Sequence, residues 1–295
     1  MNSKKVNKLL NKIIILLLIF IVSLYAKKYI DKSYGYQDAG INVNSNLEIY
    51  FFDVGQADSI FINNNGYSVL IDAGNNSDGE NIVRFLKEKN ISDIDVVLGT
   101  HPHEDHIGGL DDIINNFEVK KIYMPDAIST SESFNDVLDV IEEKNYSVYI
   151  PIIDEVFNLN DMKFKVIYTG TEEDLNDCSI VLRLDFGDTS YLFTGDISTS
   201  VEKDLLTKDI NVDVLKVAHH GSNYSSSEIF LSNVSPKYAI ISVGYDNKYN
   251  HPSNVILDRL KNSYIYRTDE DGTIKIDSDG KNISVSKLEV SLDGN

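Results

Sequence analysis

The stretch Thr100-His101-Pro102-His103-Glu104-Asp105-His106-Ile107-Gly108-Gly109 constrains this chain more than any other. It packs three histidines and two carboxylates into six residues, and half of the protein's six histidines lie in it. Imidazole nitrogen and carboxylate oxygen form a ligand set suited to zinc, iron or manganese. His101 and His103 are two residues apart, so on an extended segment both point the same way and reach one ion. Asp105 and His106 follow where the strand gives way to a turn, and there they can face a second ion. A solvated polar loop accounts for one or two such residues but not for their density. The apolar run Val96-Val97-Leu98 reads as a buried strand delivering His101, and Gly108-Gly109 lets the chain turn into a helix over residues 110–116.

The N-terminus carries a different signal. Residues 1–12 hold four lysines and no acid, residues 13–26 form an apolar run, and Lys27-Lys28 follow it. This is the pattern of a signal peptide or signal anchor over residues 1–28. The end Leu24-Tyr25-Ala26 fits a small-x-small cleavage site poorly, which favours an uncleaved anchor. Residues 29–45 lack periodicity and read as a tether, and residues 46–295 read as one domain. The expected location is extracytoplasmic, anchored to the membrane by this segment or secreted. The sole cysteine, Cys178, excludes an internal disulfide and is compatible with that location. Residues 1–32 hold seven of the 27 basic side chains and one of the 46 acidic ones. The rest therefore carries 20 against 45, a formal charge of −25. Such a surface repels long polyanions unless metal ions offset it.

Along the domain, strand patterns fall into two sets, each with helices. Asn63-Asn64-Asn65-Gly66 marks a hairpin turn between the second and third strands. Polar residues gather at strand ends: Asp53, Asp72, His101, Asp196, His219 and His251. The reading is an α/β chain of αββα type, with two mixed β-sheets packed face to face, helices outside and a site along one edge. A doubly wound parallel sheet is the competing architecture. The frequent hairpin signals and the lack of a glycine-rich phosphate loop count against it.

With these residues placed, the chain resembles the metallo-β-lactamase superfamily. His101-Pro102-His103-Glu104-Asp105-His106 fills every position of that superfamily's His-x-His-x-Asp-His signature, and Thr194-Gly195-Asp196 matches its later Gly-Asp motif. Within it, the chain is most similar to the extracytoplasmic hydrolase domain of the ComEC competence DNA-uptake family. That likeness rests on Phe52-Asp53-Val54-Gly55-Gln56-Ala57-Asp58, Leu70-Ile71-Asp72-Ala73-Gly74, Asn176-Asp177-Cys178-Ser179, Leu215-Lys216-Val217-Ala218-His219-His220-Gly221-Ser222, Asn250-His251-Pro252 and Thr268-Asp269-Glu270-Asp271-Gly272-Thr273. Ala57 departs from the family's usual Gly. ComEC proteins carry this domain beside a many-helix channel, whereas this chain shows one apolar segment. The chain therefore resembles a stand-alone, singly anchored relative, and transport is not carried over from the resemblance.

The resemblance implies two adjacent divalent metal ions, zinc or manganese. His101 and His103 would hold the first, Asp105 and His106 the second, and Asp196 would bridge them. The family's further first-site histidine is missing before Ser179, where Asn176 or Asp177 is the available substitute, or water fills the position. One of His219 and His220 completes the second site, and the sequence leaves both open. Asp53, Asp58 and Asp72 are expected to support the ligands. His251 is a candidate to protonate a leaving oxygen or hold a phosphate, and Lys216 a candidate to face an anionic substrate. A two-metal site acidifies water and clamps attacking and leaving oxygens. The expected function is thus a metal-dependent phosphodiesterase or nuclease acting on an anionic phosphoester such as single-stranded DNA. A phosphorylcholine or teichoic-acid esterase acting on a cell-wall polymer, and a non-catalytic metal-binding module, are the alternatives. Nothing in the sequence points to a protein partner.

Overall fold

The apolar residues of the first strand alternate in their destinations, and this alternation fixes how the layers stack. Leu47, Ile49 and Phe51 point to one side, into a core shared by two sheets, while Tyr50 and Phe52 point to the other, against helix Gly79–Glu88. In the computed structural model, which describes residues 46–171 and 174–288, the central strands of the first sheet sit between such layers. The contacts divide the chain after Asn42, and the described residues all belong to the second unit, Val43–Asn295. The signal-anchor and tether segments, residues 1–28 and 29–45, lie outside the described residues. Among the described residues, no helix is long and apolar enough to cross a membrane.

The first sheet has eight strands in the order β15-β14-β1-β2-β3-β4-β5-β6, and the second has seven in the order β13-β12-β11-β10-β9-β8-β7. In the first sheet, β1 (Leu47–Phe51), β2 (Ser59–Asn64) and β3 (Tyr67–Ala73) form an antiparallel meander. From there β4 (Asp93–Leu98), β5 (Glu118–Tyr123) and β6 (Val148–Tyr149) run parallel to β3. The second sheet repeats the plan. Strands β7 (Val156–Leu159), β8 (Met162–Tyr168), β9 (Val181–Phe186) and β10 (Thr189–Phe193) are antiparallel. Parallel strands β11 (Val214–Lys216), β12 (Tyr238–Ile241) and β13 (Tyr264–Arg267) follow. The last strands, β14 (Thr273–Ser278) and β15 (Ile283–Leu288), cross back to pair beside β1. This is the expected αββα sandwich of two mixed sheets.

Each outer face is covered by helices whose apolar residues recur at three- and four-residue spacing. Helices Gly79–Glu88, Leu110–Asn116 and Glu132–Glu143 cover the first sheet, burying residues such as Ile82, Leu86, Ile113, Val137 and Ile141. Helices Thr199–Leu205, Glu228–Val234 and Asn254–Arg259 cover the second, burying Val201, Leu205, Phe230, Val234 and Ile256. Ser131, Ser198, Ser227 and Ser253 cap four of these helices by accepting first-turn backbone N–H bonds.

The important consequence lies at one edge. Parallel strands β3 and β4 end together, with Ile71 opposite Leu98, and β10 and β11 end together, with Phe193 opposite Lys216. Asp72 lies in the last two residues of β3, and the segments leaving the other three ends carry His101–His106, Asp196 and His219–His220. Strand β11 stops at Lys216, and residues 218–221 form a tight turn with both histidines in the left-handed region. Residues 268–271 form a single helical turn.

The core between the sheets generates a stability test. Phe164 is fully buried there and stacks on Phe157 at 4.9 Å between ring centroids. Phe164→Ala should cost about 3–5 kcal/mol in urea unfolding, the usual range for deleting a buried ring. A loss under about 1 kcal/mol would contradict a close-packed interface between the sheets.

Candidate metal centre

The site is built from the backbone first. The segment after β4 is clasped to the turns after β1 and β3: Asp58 N–H donates to the Asp105 carbonyl at 3.0 Å, and Gly108 N–H to the Gly74 carbonyl at 3.0 Å. Gly108-Gly109 is required by this closeness. A Cβ on Gly108 would lie 2.4 Å from the Asn76 nitrogen, and one on Gly109 would lie 2.6 Å from the Ala73 carbonyl oxygen. Helix Glu104–Ile107 then turns Asp105 and His106 toward the interior.

Each ligand ring is oriented through one nitrogen so that the other faces the centre. His106 Nδ1 donates to Asp72 Oδ2 at 2.8 Å, and Asp72 is itself held by the Thr100 N–H and hydroxyl, each at 2.7 Å. His220 Nδ1 donates to the Ser242 carbonyl at 3.0 Å, which leaves Nε2 as the bare nitrogen. His101 Nδ1 lies 3.1 Å from the Thr100 hydroxyl and 3.3 Å from the Ser179 hydroxyl, and its Nε2 lies 3.0 Å from His103 Nδ1. Asp196 Oδ2 sits 3.4 Å from His106 Nε2 and 3.5 Å from His220 Nε2, and Asp105 Oδ2 lies 3.4 Å from His220 Nε2. Among the described residues, donor atoms converge in three sets. Two of them, His101, His106 and Asp196, and Asp105, His106 and His220, surround the centre. The third, Asp58, Asp72 and His106, includes the bond that orients His106, while His103, expected beside His101, is in none of them.

The residues present fit metal ions. His106 Nε2, His220 Nε2 and Asp196 Oδ1 are buried with no hydrogen-bond partner. Buried polar atoms are generally paired, so orphan atoms on three adjoining side chains of ligand type mark a place for a cation. The protonation pattern agrees. Burial, joined by the neighbouring His106 charge, drives His101 well below the ordinary imidazole range, so its lone pair is free. Burial opposes charge on Asp196 too, but the surrounding His106 and His220 outweigh it and hold the carboxyl ionised. His106 is pushed up, because Asp196 and Asp72 overcome the cost of burying its charge. An ion must displace that proton, so uptake weakens as pH falls.

Other expected site residues are placed differently. His219 stands outside the two sets, its Nε2 3.8 Å from Asp196 Oδ2 and its side chain 26% exposed. Of the pair left open by the sequence, it is His220 that joins a donor set, at a turn where both residues are left-handed and strand alternation no longer applies. Asp177 does not replace the missing histidine. Its carboxylate accepts from the Ser198 N–H at 2.7 Å and the Ser198 hydroxyl at 2.8 Å, which ties down the start of helix Thr199–Leu205. Lys216 does not face substrate. It is 1% exposed, and its Nζ bonds Asp58 Oδ2 at 2.5 Å and the Val217 carbonyl at 3.0 Å. Asp58 in turn reaches within 3.5 Å of His220 Nδ1, so the pair supports a ligand instead. Asp53 is not among the converging groups, and its N–H donates to the Thr273 hydroxyl. His251 lies beside the centre, its ring 5.9 Å from that of His219. Burial, with the nearby His220 and His219, lowers its pKa to about 4.

Thr100, Ser179 and Ser242 were not singled out by residue type. Ser179 links the halves of the site, because its hydroxyl meets His101 and also accepts the Asp196 N–H at 3.0 Å. A hydroxyl or carbonyl with no ligand chemistry of its own leaves little trace in a sequence.

Residues 52–245 match the model of the Metallo-beta-lactamase superfamily. The chain belongs to this superfamily. Among curated proteins, this metallo-β-lactamase chain is similar to ComE operon protein 3 of Bacillus subtilis, with 31% identity over 79% of this chain and 33% of that protein. It is also similar to Competence protein ComA of Neisseria gonorrhoeae, with 28% identity over 81% of this chain and 33% of that one. The chain thus spans about a third of the length of these relatives. Among solved structures, the metallo-beta-lactamase fold protein YhfI from Bacillus subtilis shares the fold, with a TM-score of 0.54 and 10% identity over 78% of this chain and 99% of that one.

Two tests follow from the geometry. Asp72→Asn should weaken metal affinity by about 10- to 100-fold in chelator competition, as loss of an orienting carboxylate does elsewhere. In metal analysis of purified protein, His220→Ala should lose an ion that His219→Ala keeps. Equal loss in both variants would overturn the choice of His220.

Proposed function

We propose that this chain is a two-metal phosphodiesterase that acts outside the cytoplasm on nucleic acid, with the end of a single strand as its substrate. The observation that carries the reading is the placement of Asp196. Its carboxylate contributes to one donor set, lies 3.5 Å from the His220 nitrogen of the other, and keeps one buried oxygen unpartnered. That is the donor arrangement for ions sharing a carboxylate. Two bound divalent ions supply Lewis acidity, which acidifies water and polarises a phosphoryl oxygen. The mixed nitrogen and oxygen ligands suit zinc or manganese.

The chain's own residues do the remaining work. Asp72 and the Ser242 carbonyl hold the His106 and His220 rings in one tautomer, so no reorganisation is needed when substrate arrives. The Lys216–Asp58 pair fills the floor beneath His220 and excludes water there. His219, partly exposed beside Asp196, is the ring that an incoming phosphoryl group meets from the solvent side. Similarity to competence proteins supports nucleic acid as substrate. The formal charge of −19 argues for a strand end entering a metal-lined cleft rather than a duplex lying along the surface. The apolar N-terminal run, with lysines on both flanks, supports the extracytoplasmic placement.

The full chain, supplied with Mn²⁺ or Zn²⁺, should hydrolyse single-stranded DNA and bis(p-nitrophenyl) phosphate. Asp105→Ala and His103→Ala should each lower kcat/KM by about 100-fold or more, the scale of losing a metal ligand. Hydrolysis of p-nitrophenyl phosphorylcholine alone would move the assignment to a cell-wall esterase. Metal uptake with no hydrolysis of any of the three would make the chain a binding module.

A further inference from the structure

Three of the described tyrosines are more exposed than any others, and all three lie on the two loops that carry His219 and His251. Tyr245 is 86% exposed, Tyr224 75% and Tyr249 54%. Tyr224 follows the His219-His220-Gly221 turn, and Tyr245 and Tyr249 lie on the loop that leads to His251. An aromatic ring left in water forgoes the burial that normally stabilises it.

Tyr249 is connected to the metal centre by a continuous line of rings. It stacks on His251 with centroids 5.6 Å apart and planes 24° apart, His251 meets His219 edge-on at 5.9 Å, and His219 Nε2 lies 3.8 Å from Asp196 Oδ2. The loop holding it is stapled. The Asn247 side chain accepts the Tyr249 N–H at 3.2 Å and the His251 N–H at 2.9 Å, and donates to the Gly244 and His251 carbonyls. At the loop's base, Gly244 N–H donates to Gln56 Oε1 at 3.1 Å. The tyrosine is therefore fixed relative to the ligands rather than swinging free.

We propose that Tyr249, with Tyr245 beside it in sequence, is a stacking platform for a nucleobase adjoining the phosphodiester at the metal centre. This rests on the nucleic-acid reading above and adds where and how the strand is gripped. A flat ring leading away from a phosphate-binding site suits a base, since every base offers a π-face and stacking tolerates any sequence. Lys248 places its Nζ 5.0 Å from the Tyr249 centroid, where it would repel a quaternary ammonium group. Asp246 shares the loop, so the loop carries no net charge and stacking does the holding. This allows a strongly acidic protein to bind a strand without a basic groove.

The test compares two strands of about twelve nucleotides, within the site sizes common for single-strand binding. One is oligothymidylate and the other an abasic strand of the same length, each offered to the full chain with Mn²⁺. Wild type should prefer the base-bearing strand in KM by roughly 5- to 150-fold, the range one stacked base is worth, with similar kcat. Tyr249→Leu should bring the ratio of the two KM values close to one, and Tyr249→Phe should restore it. Equal KM for both strands in wild type, or a ratio that survives Tyr249→Leu, would overturn the platform while leaving the phosphodiesterase reading in place. Cleavage of neither strand would overturn both. Competition by millimolar phosphorylcholine that Tyr249→Leu abolishes would assign the tyrosine to a choline group instead.

Discussion

Asp58, Asp72 and Asp196 are buried together at one edge of the sandwich, and buried carboxylates are tolerated only where positive charge meets them. The rest of the site follows from that demand. Lys216 answers Asp58 in an ion pair shut away from water. His106 and the Thr100 donors answer Asp72. Asp196 receives its backbone-side support from Ser179 but keeps an oxygen with no partner, and the nearest rings turn bare nitrogens toward it. A divalent ion fits such an arrangement, and it would compete with the proton that Asp196 and Asp72 favour on His106.

The four-layer fold was legible because the hydrophobic pattern of each strand and helix agreed with the final packing. The density of ligands between His101 and His106 was legible for the same local reason, whereas Gly108-Gly109, read as a turn into the next helix, proved to be required by close backbone approach. What the sequence concealed was decided by tertiary contacts. The choice between His219 and His220 depends on a left-handed backbone, which alternation along a strand cannot foresee. Asp177 stands where a ligand was wanted, but Ser198, more than twenty residues away, claims both of its oxygens. Lys216 looks like a substrate contact until the opposite sheet brings Asp58 to it.

The surface and the site pull in opposite directions. An acidic exterior keeps polyanions at a distance, while the centre collects positive charge from metal and imidazole. On the proposed reading, a strand end presents a single phosphodiester to the centre, and the loop through Tyr245 and Tyr249, which carries no net charge, grips the neighbouring base. This is consistent with the stapled geometry that Asn247 imposes on that loop.

The ligands also divide between the two sheets. His101, Asp105 and His106 of the donor sets leave the end of β4, whereas Asp196 and His220 follow β10 and β11 of the other sheet. An ion held by both sets is therefore a rivet across the sandwich. Its binding energy adds directly to the free energy with which the halves stay docked, because only the docked form presents both sets at once. Metal supply then governs the lifetime of the folded protein as well as its chemistry. Depletion would first loosen this seam, with the apolar core between the sheets left to hold the halves together.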